Sequence, residues 1–206
     1  MFKIGVLASG KGSNLQAIID YIKDKQLPID IKVVLSDNKE SFALKIAEKV
    51  GIDNQYINPG RYKTFLEPDS EEEFIKILTK KDVDLICLAG FMRVLKTNFI
   101  DTFPNKIVNI HPSLLPAFPG LESWKQAFNY GVKFTGCTTH FVEYEIDSGP
   151  IIMQAVVPVL DDDTPETLHQ KIQEKEHIIY PLTIKIISEG RLNILGKKTY
   201  ITPAKE

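Results

Sequence analysis

Lys3-Ile4-Gly5-Val6-Leu7-Ala8, then Ser9-Gly10-Lys11-Gly12-Ser13-Asn14, then Leu15, Ile18, Ile19 and Ile22 at helical spacing, decide the fold. A short apolar run, a glycine turn and a periodic apolar stripe predict strand, loop and helix in succession. The pattern recurs. Ile31-Lys32-Val33-Val34-Leu35 leads through Ser36-Asp37-Asn38 into a helix from Phe42 to Val50 that Gly51 stops, and a third cycle opens at Gln55-Tyr56-Ile57. Ser70-Glu71-Glu72-Glu73 has the form of a capping box ahead of Phe74, Ile75 and Leu78. Val83-Asp84-Leu85-Ile86-Cys87-Leu88 and Ile107-Val108-Asn109-Ile110 are the next strands. Near-continuous apolar strands alternating with helices predict a parallel sheet covered on both faces, so the first half reads as doubly wound and Rossmann-like.

The second half changes character. Gly136 to Val142 and Ile151 to Val157 are strand-like runs with no crossover helix between them, which predicts an antiparallel pair. Thr164-Pro165-Glu166 reads as an N-cap followed by proline at the first helical position, opening a long helix through Leu168, Ile172, Ile179, Leu182 and Ile186 to Gly190. Pro181 is expected to kink it. The tail from Leu192 to Glu206 is short and polar, and is expected to be partly disordered. No Gly/Ser-rich or Pro-rich linker divides the chain. The reading is therefore one α/β domain over 1–206, with a nucleotide- and phosphate-binding half at 1–105 and a catalytic half at 106–190.

The chain has 206 residues, 43% hydrophobic and 25% charged, as an ordinary globular protein does. With 25 Lys plus Arg against 27 Asp plus Glu it has no basic excess for a polynucleotide, so small-molecule substrates are expected and nucleic acid is not. There is no run of about 18 apolar residues and no signal-peptide start, which predicts a cytoplasmic protein without a membrane contact. Cys87 and Cys137 lie in apolar or strand-like runs and are read as buried core residues, with neither a disulfide nor a metal expected.

The loop Gly10-Lys11-Gly12-Ser13-Asn14 stands between strand and helix, where backbone amides and the helix dipole can hold a phosphate. Taken alone it serves equally as a structural turn. Leu15 stands where the dinucleotide fingerprint requires a small residue, and the Gly-Lys-Ser/Thr of a nucleoside-triphosphate loop is absent. A monophosphate is the ligand that fits.

Asn109 and His111 lie two apart at the end of a strand, so their side chains leave on one face, and the prolines at 112, 116 and 119 force an extended loop after them. Ligands bind at the carboxyl ends of strands in open α/β sheets. An amide beside an imidazole there suits acyl chemistry: the amide donates to a developing oxyanion and the imidazole exchanges a proton near neutral pH. The bland alternative is a histidine hydrogen-bonded within its own loop. Asp147, in the polar turn Glu143-Tyr144-Glu145-Ile146-Asp147-Ser148-Gly149-Pro150, is the candidate to orient the ring and favour its charged form. An aspartate in such a turn also serves as a plain turn cap.

Together these segments resemble the formyltransferase family, most closely its branch acting on a glycinamide ribonucleotide. The likeness rests on Gly10 to Ile18, Leu88-Ala89-Gly90-Phe91-Met92-Arg93-Val94-Leu95, Asn109 to Gly120, Gly136 to Pro150 and Gln173-Glu174-Lys175-Glu176-His177. It implies an enzyme of de novo purine biosynthesis that moves the formyl group of 10-formyltetrahydrofolate to the amine of 5'-phosphoribosylglycinamide. It also implies that Asn109, His111 and Asp147 are catalytic, and that Gly12, Ser13, Asn14 and Glu176 hold the ribonucleotide. Met92, Arg93, Val94 and Leu95 would line the folate site, together with Asn109 and the loop Glu143, Tyr144, Glu145, Ile146 and Asp147. At most a weak homodimer is implied. The family's arginine near the start of the helix at 70–73 is replaced here by acidic residues, with Arg61 or Lys63 as substitutes. Sister enzymes that formylate methionyl-tRNA or hydrolyse formyltetrahydrofolate carry a further domain, for which 206 residues are expected to leave no room. A catalytically silent binding module on the same fold is the alternative of a different class.

Overall fold

Ile4, Val6 and Leu7 of β1 (Phe2–Leu7) are fully buried because β1 is paired on both sides. Val6 lies opposite Val34 of β2 (Ile29–Ser36) on one side and Cys87 of β4 (Leu85–Leu88) on the other, both parallel. In this computed structural model, which describes residues 1–204, the chain divides into two compact units, Met1–Asn109 and a second from Ile110 onward.

The first unit is doubly wound. Its strand order is β3-β2-β1-β4-β5, with β3 at Asn54–Tyr56 and β5 at Ile107–His111, and every pairing is parallel. Helices α1 (Ser13–Asp24), α2 (Phe42–Lys49), α3 (Pro68–Lys80) and the short α4 (Thr97–Thr102) make the connections. Leu15 and Ile18 of α1, Ala43 and Ala47 of α2, and Phe74 and Leu78 of α3 are the buried stripes. Fully burying one such large apolar side chain contributes about 1.5–3 kcal/mol. The chain leaves β1 toward β2 but later returns to β4 on the opposite side of β1, so the crevice between the carboxyl ends of β1 and β4 is the topological switch point where ligands bind in such sheets.

The capping box expected at Ser70 does not form. Pro68, whose fixed φ suits the first helical position, starts α3 two residues earlier, and Ser70 instead donates its hydroxyl to the Asn58 carbonyl at 2.6 Å from inside the first turn.

The second unit holds α5 (Ser123–Tyr130) and the antiparallel pair β6 (Phe134–Phe141) and β7 (Ile151–Pro158). With these, β1 to β7 make a mostly parallel sheet of α/β class. Helix α6 (Pro165–Ser188) starts as the sequence predicts, with Thr164 accepting from the Thr167 amide and Thr167 answering on the Thr164 amide. It runs on through the buried Pro181 as one helix. The expected loose tail is a correction: Leu192–Leu195 and Lys198–Ile201 form an antiparallel hairpin, β8–β9, around Gly196 at φ 60, and the Thr199 hydroxyl donates to the Ile151 carbonyl of β7 at 2.7 Å. The last two residues of that tail lie outside the described residues. Neither α4 nor α5 was foreseen, since six and eight residues carry too short a stripe to register as helical periodicity.

Candidate active site

Three connections at the carboxyl ends of the first unit's strands are tied into one polar network. After β1, the Ser9 hydroxyl donates to Asp37 Oδ1 at 2.5 Å and accepts from the Met92 amide at 2.9 Å. After β4, Arg93 Nε donates to Asp37 Oδ2 at 2.6 Å, and its Nη1 reaches the Tyr62 carbonyl. Asp37 itself directly follows β2. The pair is buried, with side chains 15% and 4% exposed. This corrects the expectation that Arg93 faces the cleft: an arginine beside a buried carboxylate gains more from a direct ion pair than from water.

Met92 and Val94, on either side of Arg93, are exposed, whereas Leu95 is buried in the core. The Val94 amide donates to the Thr64 carbonyl at 2.8 Å. The Met92 and Val94 amides are thus both used internally.

The glycine loop leads directly into α1. Gly12 sits at φ 73 as the residue before that helix, and a Cβ there would lie 2.9 Å from both Ala43 Cα and Ile46 Cδ1. Its lack of a side chain is therefore demanded by packing on α2 and by the left-handed backbone, independently of any ligand. Gly10 and Lys11 are exposed, Ser13 is partly exposed and Asn14 is buried.

Of the substitutes for the family arginine, Arg61 is engaged with Glu67, Nε to Oε1 3.1 Å, and lies over the Tyr62 ring. Lys63 is exposed. Glu71 is buried at 5% exposure.

In the second unit His111 ends β5 with its side chain 5% exposed. Its Nε2 donates to the Phe118 carbonyl at 2.9 Å, and its Nδ1 lies 3.3 Å from Asp147 Oδ2. A carbonyl can only accept, so Nε2 carries a proton, and a carboxylate at the other nitrogen favours a proton there too. Asn109 lies two residues back on the same strand and leaves β5 on the same face.

Asp147 holds a left-handed backbone at φ 53, and its Oδ2 also accepts from the Gly120 amide at 2.8 Å. Its other oxygen lies 3.6 Å from Nε2 of His140, an imidazole 2% exposed on β6. His140 Nδ1 donates to the Phe141 carbonyl at 2.8 Å. Burial pushes this ring below its usual range, against the Phe141 carbonyl and the Asp147 carboxylate, which act the other way.

The bond pattern from Ser113 to Gly120 explains why this loop is shaped as it is. Thr138 Oγ1 donates to the Ser113 carbonyl at 2.7 Å and accepts from the Leu115 amide at 3.0 Å, and Ser113 Oγ donates to the Ala117 carbonyl at 2.6 Å. Glu143, Tyr144, Glu145 and Ile146 are all exposed beside the buried Asp147 carboxylate. Glu176 is buried on the α6 face toward β6, near enough to help raise the Cys137 thiol, which burial pushes up to about 12. Both cysteines are buried, as the sequence reading holds.

The sequence profile of formyl transferases matches residues 2–184. The chain belongs to the formyl transferase family. It is 39% identical over 202 residues to a Haemophilus influenzae protein named phosphoribosylglycinamide formyltransferase, covering 98% of this chain and 94% of that one. It is 40% identical over 204 residues to the human trifunctional purine biosynthetic protein adenosine-3, where it covers 99% of this chain but spans only 20% of the relative's length. Among formyl transferases of known structure, glycinamide ribonucleotide transformylase 1 from Symbiobacterium toebii superposes with a TM-score of 0.93 at 46% identity, covering 98% of this chain and 95% of that one. No helix of the described residues is long and apolar enough to cross a membrane.

Two residues of this formyl transferase site were not singled out from the sequence. His140 is a lone imidazole in a strand of threonines and small residues, and its alternation with Thr138 was the available signal. Asp37 stands directly after an apolar strand, at the sheet end where ligands bind.

Proposed function

We propose that this chain transfers the formyl group of 10-formyltetrahydrofolate to the amine of 5'-phosphoribosylglycinamide, giving formylglycinamide ribonucleotide, by direct attack through a tetrahedral species. The observation that carries the reading is the His111–Asp147 pair at the end of β5, on the strand that also bears Asn109, in a chain of this family.

Each residue has a chemical task. Asn109 donates its amide N–H to the oxygen that becomes negative as the amine attacks, and the ring N–H of His111 donates a second bond. For that, the Nε2–H now on the Phe118 carbonyl is redirected or shared. Asp147 keeps the ring oriented. As the attacking amine loses a proton and the folate nitrogen gains one, Asp147 and Nε2 of His140 are the nearby acceptors. The amides of Gly12, Ser13 and Asn14 at the head of α1 fit the ribonucleotide phosphate, and Glu176 supplies a carboxylate acceptor to the same substrate. The exposed Met92 and Val94 side chains offer the folate co-substrate apolar area. Two buried thiols suit a reducing, cytoplasmic setting.

The test follows formyl release from 10-formyltetrahydrofolate with and without 5'-phosphoribosylglycinamide. Release that depends on the nucleotide, with a formylated product, is expected. Equal formate release without it makes the protein a hydrolase, and no release makes it an inert binder.

A further inference from the structure

We propose that Asp37 is a positioning residue for the transfer, holding the folate-side segment Met92–Leu95 against the nucleotide-side loop Gly10–Asn14. This rests on the reading of function above. The hydrogen bonds have a direction: the Met92 amide donates to Ser9 Oγ, Ser9 Oγ donates to Asp37 Oδ1, and Arg93 Nε donates to Asp37 Oδ2. A hydroxyl has one proton and two acceptor lone pairs, and the group that takes the Ser9 proton fixes the direction in which its oxygen presents a lone pair to the Met92 amide. That group is Asp37.

The same connection after β2 grips the glycine loop from below. Asn38 Nδ2 donates to the Ser9 carbonyl at 3.0 Å, and the Ser41 hydroxyl and Phe42 amide both donate to the Gly10 carbonyl at 3.1 Å. Two segments that are assigned different substrates are thus referenced to one carboxylate. At 4% side-chain exposure Asp37 is too deep to touch either substrate, so any effect it has on them travels through Ser9 and Arg93.

Stability alone does not account for such a pair, because apolar residues of the same volume would serve the core as well as buried charges do. What a carboxylate with two engaged oxygens adds is geometry. Both Asp37 bonds and the Met92 bond lie at the base of the segment whose exposed side chains, Met92 and Val94, flank Arg93. A displacement there shifts the surfaces on which the two substrates would rest, and weakens how they are held.

Steady-state kinetics on the full chain with both substrates test the idea, using Asp37→Asn, Arg93→Lys, Ser9→Ala and the Asp37→Asn/Arg93→Lys double variant. Asp37→Asn keeps the size and one acceptor but turns an N–H toward Arg93 Nε. It is expected to raise KM for both substrates about tenfold while kcat stays within about threefold, the loss that one misplaced charged hydrogen bond produces. Arg93→Lys is expected to raise KM for the folate alone, and the double variant to be no worse than Asp37→Asn, since all three act through one network. If Asp37→Asn does not fold, Ser9→Ala carries the test, with an expected rise of about fivefold in folate KM. The proposal is overturned by KM values within about twofold of the parent, by losses confined to kcat, by additive effects in the double variant, or by a loss that matches the unfolded fraction seen by circular dichroism. A parent protein that moves no formyl group removes the functional reading and this inference with it, whereas an active parent with unaffected variants removes only the inference.

Discussion

Asp37 and Asp147 are both buried aspartates with both oxygens engaged, and their partners make them different devices. Asp37 faces Arg93, whose charge does not leave at any working pH, and a serine hydroxyl that accepts an amide in turn. Asp147 faces two imidazoles, His111 at 3.3 Å and His140 at 3.6 Å, a side-chain type that can carry or release a proton. The first arrangement can only hold atoms in place. The second can hold a ring and also let protons move, and it is the one that stands beside the amide of Asn109 at a strand end. The partner, and not the carboxylate, decides the role.

The largest effect expected from breaking this contrast is on the permanent pair. Arg93→Met leaves Asp37 buried without its counter-charge, which costs roughly 3–5 kcal/mol and lowers the melting temperature by on the order of 10 °C. Thermal denaturation followed by circular dichroism checks it, and an unchanged midpoint means that the pair is not buried in solution.

On the titrating side the loss falls on rate while stability is largely kept. Asn109→Ala removes one oxyanion donor and is expected to lower turnover by about 10² to 10³. His111→Ala is expected to lose as much or more, because donor and proton carrier go together. Single-turnover formyl transfer separates this from weaker binding, and loss of ligand affinity in place of turnover would reassign both residues.

Asp147→Asn preserves shape but withdraws the carboxylate that lies 3.3 Å from His111 Nδ1 and orients the ring. Turnover is expected to fall by about 10² in single-turnover formyl transfer. Full turnover would return Asp147 to the status of a turn residue.

These two clusters were not equally legible in the chain. Strand-loop-helix order in the first unit could be read because apolar runs and periodic stripes are local features, and Thr164-Pro165 announced α6 for the same reason. Asn109 and His111 could be paired because two positions on one strand share a face. What no local pattern carries is contact between distant segments. The approach of Asp147 to His111 and His140, and of Asp37 to Arg93, spans 56 positions in the second case and depends on which strands become neighbours. Arg93 was expected in the cleft since its partner was invisible. Gly12 was tied to a phosphate although packing against Ala43 already demands a glycine. The β8–β9 hairpin escaped notice because its two strands are only four residues each, too short for a periodic signal, and its tie to β7 is made by a distant residue.

The smallest expected effect is the most selective for the difference between the clusters, and it lies in stability against pH. His140 is pushed below its ordinary 6.5 by burial, the Phe141 carbonyl, the Asp147 carboxylate and the His111 ring acting as lesser influences. The unfolded chain therefore binds a proton at a pH where the folded chain still refuses it. Stability rises with pH wherever the unfolded state holds more protons, so this contribution is complete above about 6.5 and is lost as pH falls below it. One such group gives a slope of at most about 1.4 kcal/mol per pH unit. His140→Asn keeps an N–H for the Phe141 carbonyl and has nothing to titrate, so urea unfolding between pH 5 and 7 is expected to show a shallower slope than the parent. Asp37→Asn, made in the cluster whose partner is an arginine, is expected to lower stability across that range without changing the slope. If the two variants flattened the curve alike, the distinction between a fixed pair and a titrating one would not describe this protein, and Asp147 would need another source for its part in proton transfer.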